Sequence, residues 1–248
     1  MLSKVKLKLS IDEDEKISYQ KAVVFHGVLM EQINTEYADF LHESSLHPYS
    51  QNIINNNNEC YWVINTLNKE AYGNIIVPLL EVEKCTVTHN QMEFSVIGRE
   101  VNSISKSEFT RKYYFEDSDR YINVLFETPT AFKKDGRYVN YPDINMMYKN
   151  LMNKFDSASE DETLCNDELL EELVKSTQIV KYNLRSASYS IEKYKIPAFI
   201  GRITLKINGA QSLVNFANML FRFGEYSGIG IKTAMGMGSI KVLERVIK

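Results

Sequence analysis

The 248-residue chain carries 29 Lys and Arg against 32 Asp and Glu, a formal charge of −3, with 44% hydrophobic and 25% charged residues. Such values describe a globular protein with room for two domains of ordinary size, and no uninterrupted apolar run reaches transmembrane length. Three cysteines (Cys60, Cys85, Cys165), odd in number and widely spaced, exclude a disulfide framework and a zinc spacing. With a strand pattern where a signal peptide would begin, the reducing cytoplasm is the expected compartment.

In chain order, Lys4 to Ser10 alternates as a strand. Ser18 to Ile33 is then a helix, with Ala22, Phe25, Leu29 and Ile33 on one stripe. Tyr37 to Glu43 predicts a short second helix, which Pro48 bars from continuing. Gln51 to Ile54, the polar tract Asn55 to Asn58, and Cys60 to Asn65 read as strand, turn and strand. A helix over Ala71 to Val77, weakened by Gly73 and Pro78, precedes strands at Cys85 to Thr88 and Glu93 to Ile97. His89, beside Asn90, is read as a turn residue. The first half is β-α-β-β-α-β, a split βαβ pattern.

The second half starts near Arg120. Tyr121 to Phe126 is a strand, and Asp143 to Phe155 a helix opened by Pro142 and Asp143. An acidic stretch follows, with eight Asp or Glu and no Lys or Arg between Asp156 and Glu172; it predicts a solvated loop and helix start. After a helix over Leu169 to Val174, three strands are expected, at Gln178 to Tyr182, Tyr189 to Tyr194 and Gly201 to Ile207. Leu213, Phe216, Ala217 and Leu220 mark a buried helix face, with Ser212 as its N-cap and Gly224 as its left-handed C-terminal residue. Ser239 to Leu243 is the closing strand. The expected architecture is therefore α+β, two tandem ferredoxin-like (RRM-like) domains at 1–118 and 119–248.

Five of the eleven glycines fall between Gly224 and Gly238, in a helix-to-strand loop centred on Lys232 and Thr233. A nucleotide triphosphate loop needs glycine directly before the lysine and a helix after it; Ile231 and a strand stand there instead. The dinucleotide fingerprint fails as well, since no helix opens after Gly230. Two readings survive. Backbone N–H groups and Lys232 could cradle a phosphodiester chain, or the loop is a plain connector. Residues 181–248 hold eleven Lys or Arg against three Glu, so this segment can attract phosphates despite the negative total.

Two of the four histidines, His42 and His47, lie five residues apart. His42 ends the short helix, where the negative dipole end favours imidazolium. His47 precedes Pro48 and is expected to be extended. Two imidazoles could serve as general base and general acid; the bland reading is a helix-end and a surface histidine. His26, inside the first helix, is read as packed or capped. No metal site is expected, because no carboxylate-His or Cys-His cluster accompanies the histidines, and no Ser or Cys sits in a nucleophile elbow.

Gly201-Arg-Ile-Thr-Leu, Leu213-Val-Asn-Phe-Ala-Asn-Met-Leu and Gly228-Ile-Gly-Ile-Lys-Thr-Ala-Met-Gly-Met-Gly-Ser-Ile together resemble the C-terminal signature of CRISPR-associated endoribonucleases of the RAMP superfamily. Leu41-His42-Glu43 and Pro48-Tyr49-Ser50 are similar to the segment that carries the catalytic histidine of that family. The resemblance implies metal-independent cleavage of CRISPR repeat RNA without a cofactor. The ribose 2′-hydroxyl attacks the adjacent phosphate, leaving 2′,3′-cyclic phosphate and 5′-hydroxyl ends. It assigns His42 as general acid or base. Met30 holds the place of a helix-one tyrosine used by some members, and Ser44 to His47 that of a lysine, so His47 is expected as the second catalytic group. Gly228, Gly230, Lys232, Thr233, Gly236 and Gly238 are expected to contact RNA backbone. The protein would act as a monomer or homodimer, off the membrane, with other CRISPR effector-complex subunits as further partners. The rival implied by the same fold is a guide-RNA-binding subunit of an interference complex that does not cut.

Overall fold

Lys4, Lys6 and Lys8 alternate with Val5, Leu7 and Leu9, and the first strand, β1 (Leu2–Ile11), buries the latter three. The computed structural model describes residues 1–11, 18–56, 59–87, 92–159, 166–191 and 194–244. A single 3-10 turn, Tyr19–Lys21, capped by Ser18, leads into α1 (Ala22–Gln32). There follow α2 (Thr35–Glu43), β2 (Tyr49–Asn56) and β3 (Glu59–Thr66). A helical stretch runs through α3 (Lys69–Ala71), a π-turn (Tyr72–Ile76) and α4 (Val77–Leu80), so Gly73 and Pro78 are absorbed rather than ending it. Next come β4 (Lys84–Val87), β5 (Met92–Ile104) and α5 (Lys106–Tyr114).

These strands form an antiparallel sheet in the order β2-β3-β1-β5-β4. Without the edge strand β4, this is the strand arrangement of a ferredoxin-like fold. Phe25 from α1 packs between Trp62 and Phe94 of the sheet, with ring centroids 5.1 and 5.0 Å away.

The second unit begins with β6 (Tyr121–Thr130), a small hairpin of β7 (Phe132–Lys134) and β8 (Arg137–Val139), and α6 (Ile144–Ser157), capped by Asp143. It continues through α7 (Asp167–Ser176), β9 (Thr177–Ile191), β10 (Tyr194–Ile207), α8 (Gln211–Ser227) and β11 (Ile240–Leu243). Its sheet order, β11-β6-β10-β9, repeats the first. The fold is α+β with two tandem ferredoxin-like units. Their cores interlock: Leu2, Leu67 and Phe109 join the second core, and Ala234 joins the first. No helix among the described residues is long and apolar enough to cross a membrane.

Three local expectations are corrected. The two strands expected at 178–182 and 189–194 are mostly one, β9. Asn183 to Ser188 holds no Gly or Pro, and β10 pairs it throughout, for example Leu184 with Gly201 and Ala187 with Ala198. Ser212 does not cap α8, which starts one residue earlier behind Ala210. Gly224 is not a helix terminus either. It is an interior residue of α8 whose missing side chain admits Ile240 and Leu151; a Cβ there would lie 2.7 and 3.0 Å from their methyl groups. The tip of the Asn55–Asn58 tract, His89, Asn90, the centre of the acidic run and Cys165 lie outside the described residues.

Candidate active site

Asn34 opens α2 by accepting from the Glu36 N–H at 2.8 Å, and the extended Ser44 closes it, leaving His42 exposed in the last turn. Ser44 to Pro48 then carries the chain into β2. His47, half-buried ahead of Pro48, sets its ring 5.8 Å from that of Tyr49, the first residue of the strand. Tyr49 is fully buried, and its hydroxyl is hydrogen-bonded to His26 Nδ1 at 3.1 Å, with the two rings stacked 6.5 Å apart. His26 reaches this point from α1. The packed role read for it in the sequence is what the structure shows, and it shares Tyr49 as a ring neighbour with His47.

The electrostatics join these elements to the opposite end of the chain. Burial pushes His26 down to about 4, and the charges of His47, His42 and Lys232 push in the same direction. His47 is lowered by burial first, then by Lys232, His42 and Lys154. Both rings are held towards the neutral form. His47 Nδ1 is buried with no hydrogen-bond partner among the described residues. Lys232 therefore lies within electrostatic reach of His26 and His47 although it stands near the opposite end of the sequence.

The glycine loop has a different internal logic from the one expected. Gly228, Gly230, Gly236 and Gly238 are all buried and all have positive φ. Their N–H groups go to Gly224 O, Asn150 Oδ1, Thr233 O and Pro129 O. Those of Ile229, Ile231, Met235, Met237 and Ser239 are also taken up inside the protein. The glycine N–H groups are thus spent inside the protein. A Cβ on Gly236 would lie 2.2 Å from Ala22 Cβ, so that glycine lets the loop dock on α1. Thr233 is buried as well and accepts a hydrogen bond from Lys154. Lys232 alone of the six is exposed, in the left-handed region at φ 57°.

Three contributors were not singled out in the sequence. Gln51 ties the loop to α1 and Trp62. Asn150 accepts from Gly230, and Lys154 binds the loop ends. A signal existed for Lys154: it follows Met147 and Leu151 on the apolar stripe of α6, a charged residue where the periodicity asks for an apolar one. Among the described residues no group of three or more His, Cys, Asp or Glu could hold a metal ion. Lys181, Arg185, Lys195 and Arg202 are exposed on β9 and β10. A cleft of about 630 Å³ between the two sheets is lined by Lys4, Lys6 and Lys241 together with Glu100, Glu127 and Glu225.

A family model described as CRISPR-associated endoribonuclease Cas6 matches residues 124–240. A curated protein of that name from Streptococcus thermophilus is 33% identical over 224 residues, 90% of this chain and 92% of the relative. Another, from Mycobacterium tuberculosis, is 30% identical over 244 residues, 96% of this chain and 77% of the relative. Among solved structures, a Cas6 product complex superposes with a TM-score of 0.81 at 21% identity, over 98% of this chain and all of that one. A Thermus thermophilus Cas6 gives 0.73 at 19% identity, covering 98% of each chain. At these identities the structural likeness bears on the fold.

Proposed function

Because the chain belongs to the Cas6 family of CRISPR-associated endoribonucleases, we propose that it cleaves CRISPR repeat RNA at the site formed by His42, His47 and Lys232. One observation carries this reading: Gln51, on the strand that His47 leads into, donates to Ala234 O two residues past Lys232, and the charges of His42 and Lys232 accordingly bear on His47. An exposed helix-end imidazole and a loop lysine thus converge on one half-buried imidazole.

The nucleophile belongs to the substrate, so protein groups need only hold in-line geometry, move protons and stabilise phosphorane charge. His47, held neutral by its burial and by Lys232, takes the proton of the 2′-hydroxyl as its oxygen attacks phosphorus. The P–O5′ bond breaks, and His42 gives a proton to the departing 5′-oxygen. The products are a 2′,3′-cyclic phosphate and a 5′-hydroxyl, and no metal ion takes part. Lys232 meets the RNA backbone, and Gly228, Gly230, Thr233, Gly236 and Gly238 serve binding by fixing the loop that presents it. The basic strands β9 and β10 extend the RNA-facing surface. The chain divides at 118/119 and works in the cytoplasm as a monomer or homodimer that delivers RNA to other effector-complex subunits.

The test is incubation of the purified protein with the repeat encoded beside its gene, in the presence of a chelator. Cutting that persists, with cyclic-phosphate and 5′-hydroxyl ends, supports the reading. Retarded but intact RNA would make the protein a non-cutting guide-RNA binder instead.

A further inference from the structure

Lys154 is a charged residue in an apolar setting. It lies on the core stripe of α6 at 5% exposure. Its ammonium donates to Ser227 O at 3.1 Å, Gly228 O at 3.1 Å and Thr233 Oγ1 at 3.2 Å. Three donors meet three oxygen acceptors, which suits the charged form of the side chain. Among the described residues no carboxylate forms an ion pair with it. The compensation comes from the carbonyl-rich C-terminus of α8, where the helix dipole is negative. Burying such a group is costly, and a methionine or leucine would fill the stripe without that cost.

The three acceptors explain what the arrangement achieves. Ser227 and Gly228 are the residues at which α8 ends, and Thr233 is the first residue of the 3-10 turn directly after Lys232. One ammonium therefore clamps the start of the glycine loop to its far turn. Lys232, at the clamped corner, is exposed and left-handed. Burial draws the Lys154 pKa down to about 7, which leaves the ammonium form available at and below neutral pH, and its charge also acts on His47.

We propose that Lys154 is a positioning residue for the RNA reaction: it sets the loop conformation that holds Lys232 beside His47. This inference rests on the reading of Lys232 as an RNA contact. It is tested with Lys154→Met, which keeps length and loses all three donors, alone and combined with Lys232→Ala. Amide hydrogen exchange across 228–238 should quicken in Lys154→Met without RNA present. Repeat-RNA affinity should fall about tenfold, the scale of one lost charge-assisted hydrogen bond. The single-turnover cleavage rate at saturating enzyme should fall with it. The double variant should bind no more weakly than Lys232→Ala, because the clamp then has no cation to position.

Multiplicative losses in the double variant overturn the proposal, as does a lowered unfolding midpoint with unchanged loop exchange and unchanged affinity. Lys154→Gln, whose amide restores part of the donor set, should recover part of the rate; it replaces Lys154→Met throughout if that variant does not fold. Wild-type protein that fails to bind the repeat would strike the functional reading, whereas unchanged loop exchange in Lys154→Met strikes the clamp.

Discussion

Gln51 donates from its side-chain amide to the Ala234 carbonyl at 3.0 Å, across a separation of 183 residues. The same nitrogen donates to Ala22 O at 2.7 Å, and the carbonyl oxygen of the side chain accepts from Trp62 Nε1 at 2.8 Å. Gln51 is 1% exposed, and both its amide N–H groups are spent joining β2 to the start of α1 and to the turn that follows Lys232. It belongs to the strand that His47 leads into. The segment that carries His47 and the glycine loop are thereby referenced to one side chain.

Gln51→Leu should cost about 3 kcal/mol of stability, because it leaves the indole N–H and two carbonyls without their partners in a dry interior. Urea denaturation read by the fluorescence of Trp62 measures this. An unchanged midpoint would show that the loop is held without the amide.

His42→Ala should slow single-turnover cleavage of repeat RNA by about 10²–10⁴-fold, the range for one proton-transfer group, with RNA affinity kept. His47→Ala should show a loss of the same kind, and the double variant should be silent while still retarding RNA in a gel. Parental rates in His42→Ala would remove it from the reaction.

Acid should destabilise the fold before its carboxylates titrate. His26 has a folded pKa of about 4 against 6.5 when exposed, so the unfolded chain takes up the proton first as pH falls. The contribution is fully present above 6.5 and is lost progressively down to about 4, amounting to roughly 3 kcal/mol. His47, lowered by burial, acts with the same sign. Thermal unfolding between pH 7 and 4 measures the slope, and His26→Asn should flatten it. A slope equal to that of the parent would assign the acid sensitivity to other groups.

Lys232→Ala should weaken repeat-RNA binding and reduce the magnitude of the log K against log salt slope by about 0.7–1, the share of one phosphate contact. Fluorescence anisotropy at several salt concentrations reads it. Weaker binding with an undiminished slope would mean that the lysine orders the loop without touching phosphate.

Much of the architecture was written locally. The alternation of Lys4, Lys6 and Lys8 with Val5, Leu7 and Leu9, and the stripe of Met147, Leu151 and Phe155, fix a strand and a helix by period alone. The histidine pair and the clustered glycines were legible in the same way, since residue type and spacing are local properties. Hydrogen-bond partners are not. The loop glycines spend their N–H groups on Asn150 and Pro129, and Lys154 reaches acceptors 73 to 79 residues away. His26 finds Tyr49 on another element. Period and spacing told which residues face inward; only the folded chain decided which polar atoms meet there, because a buried donor takes its partner from whatever distant segment packs against it.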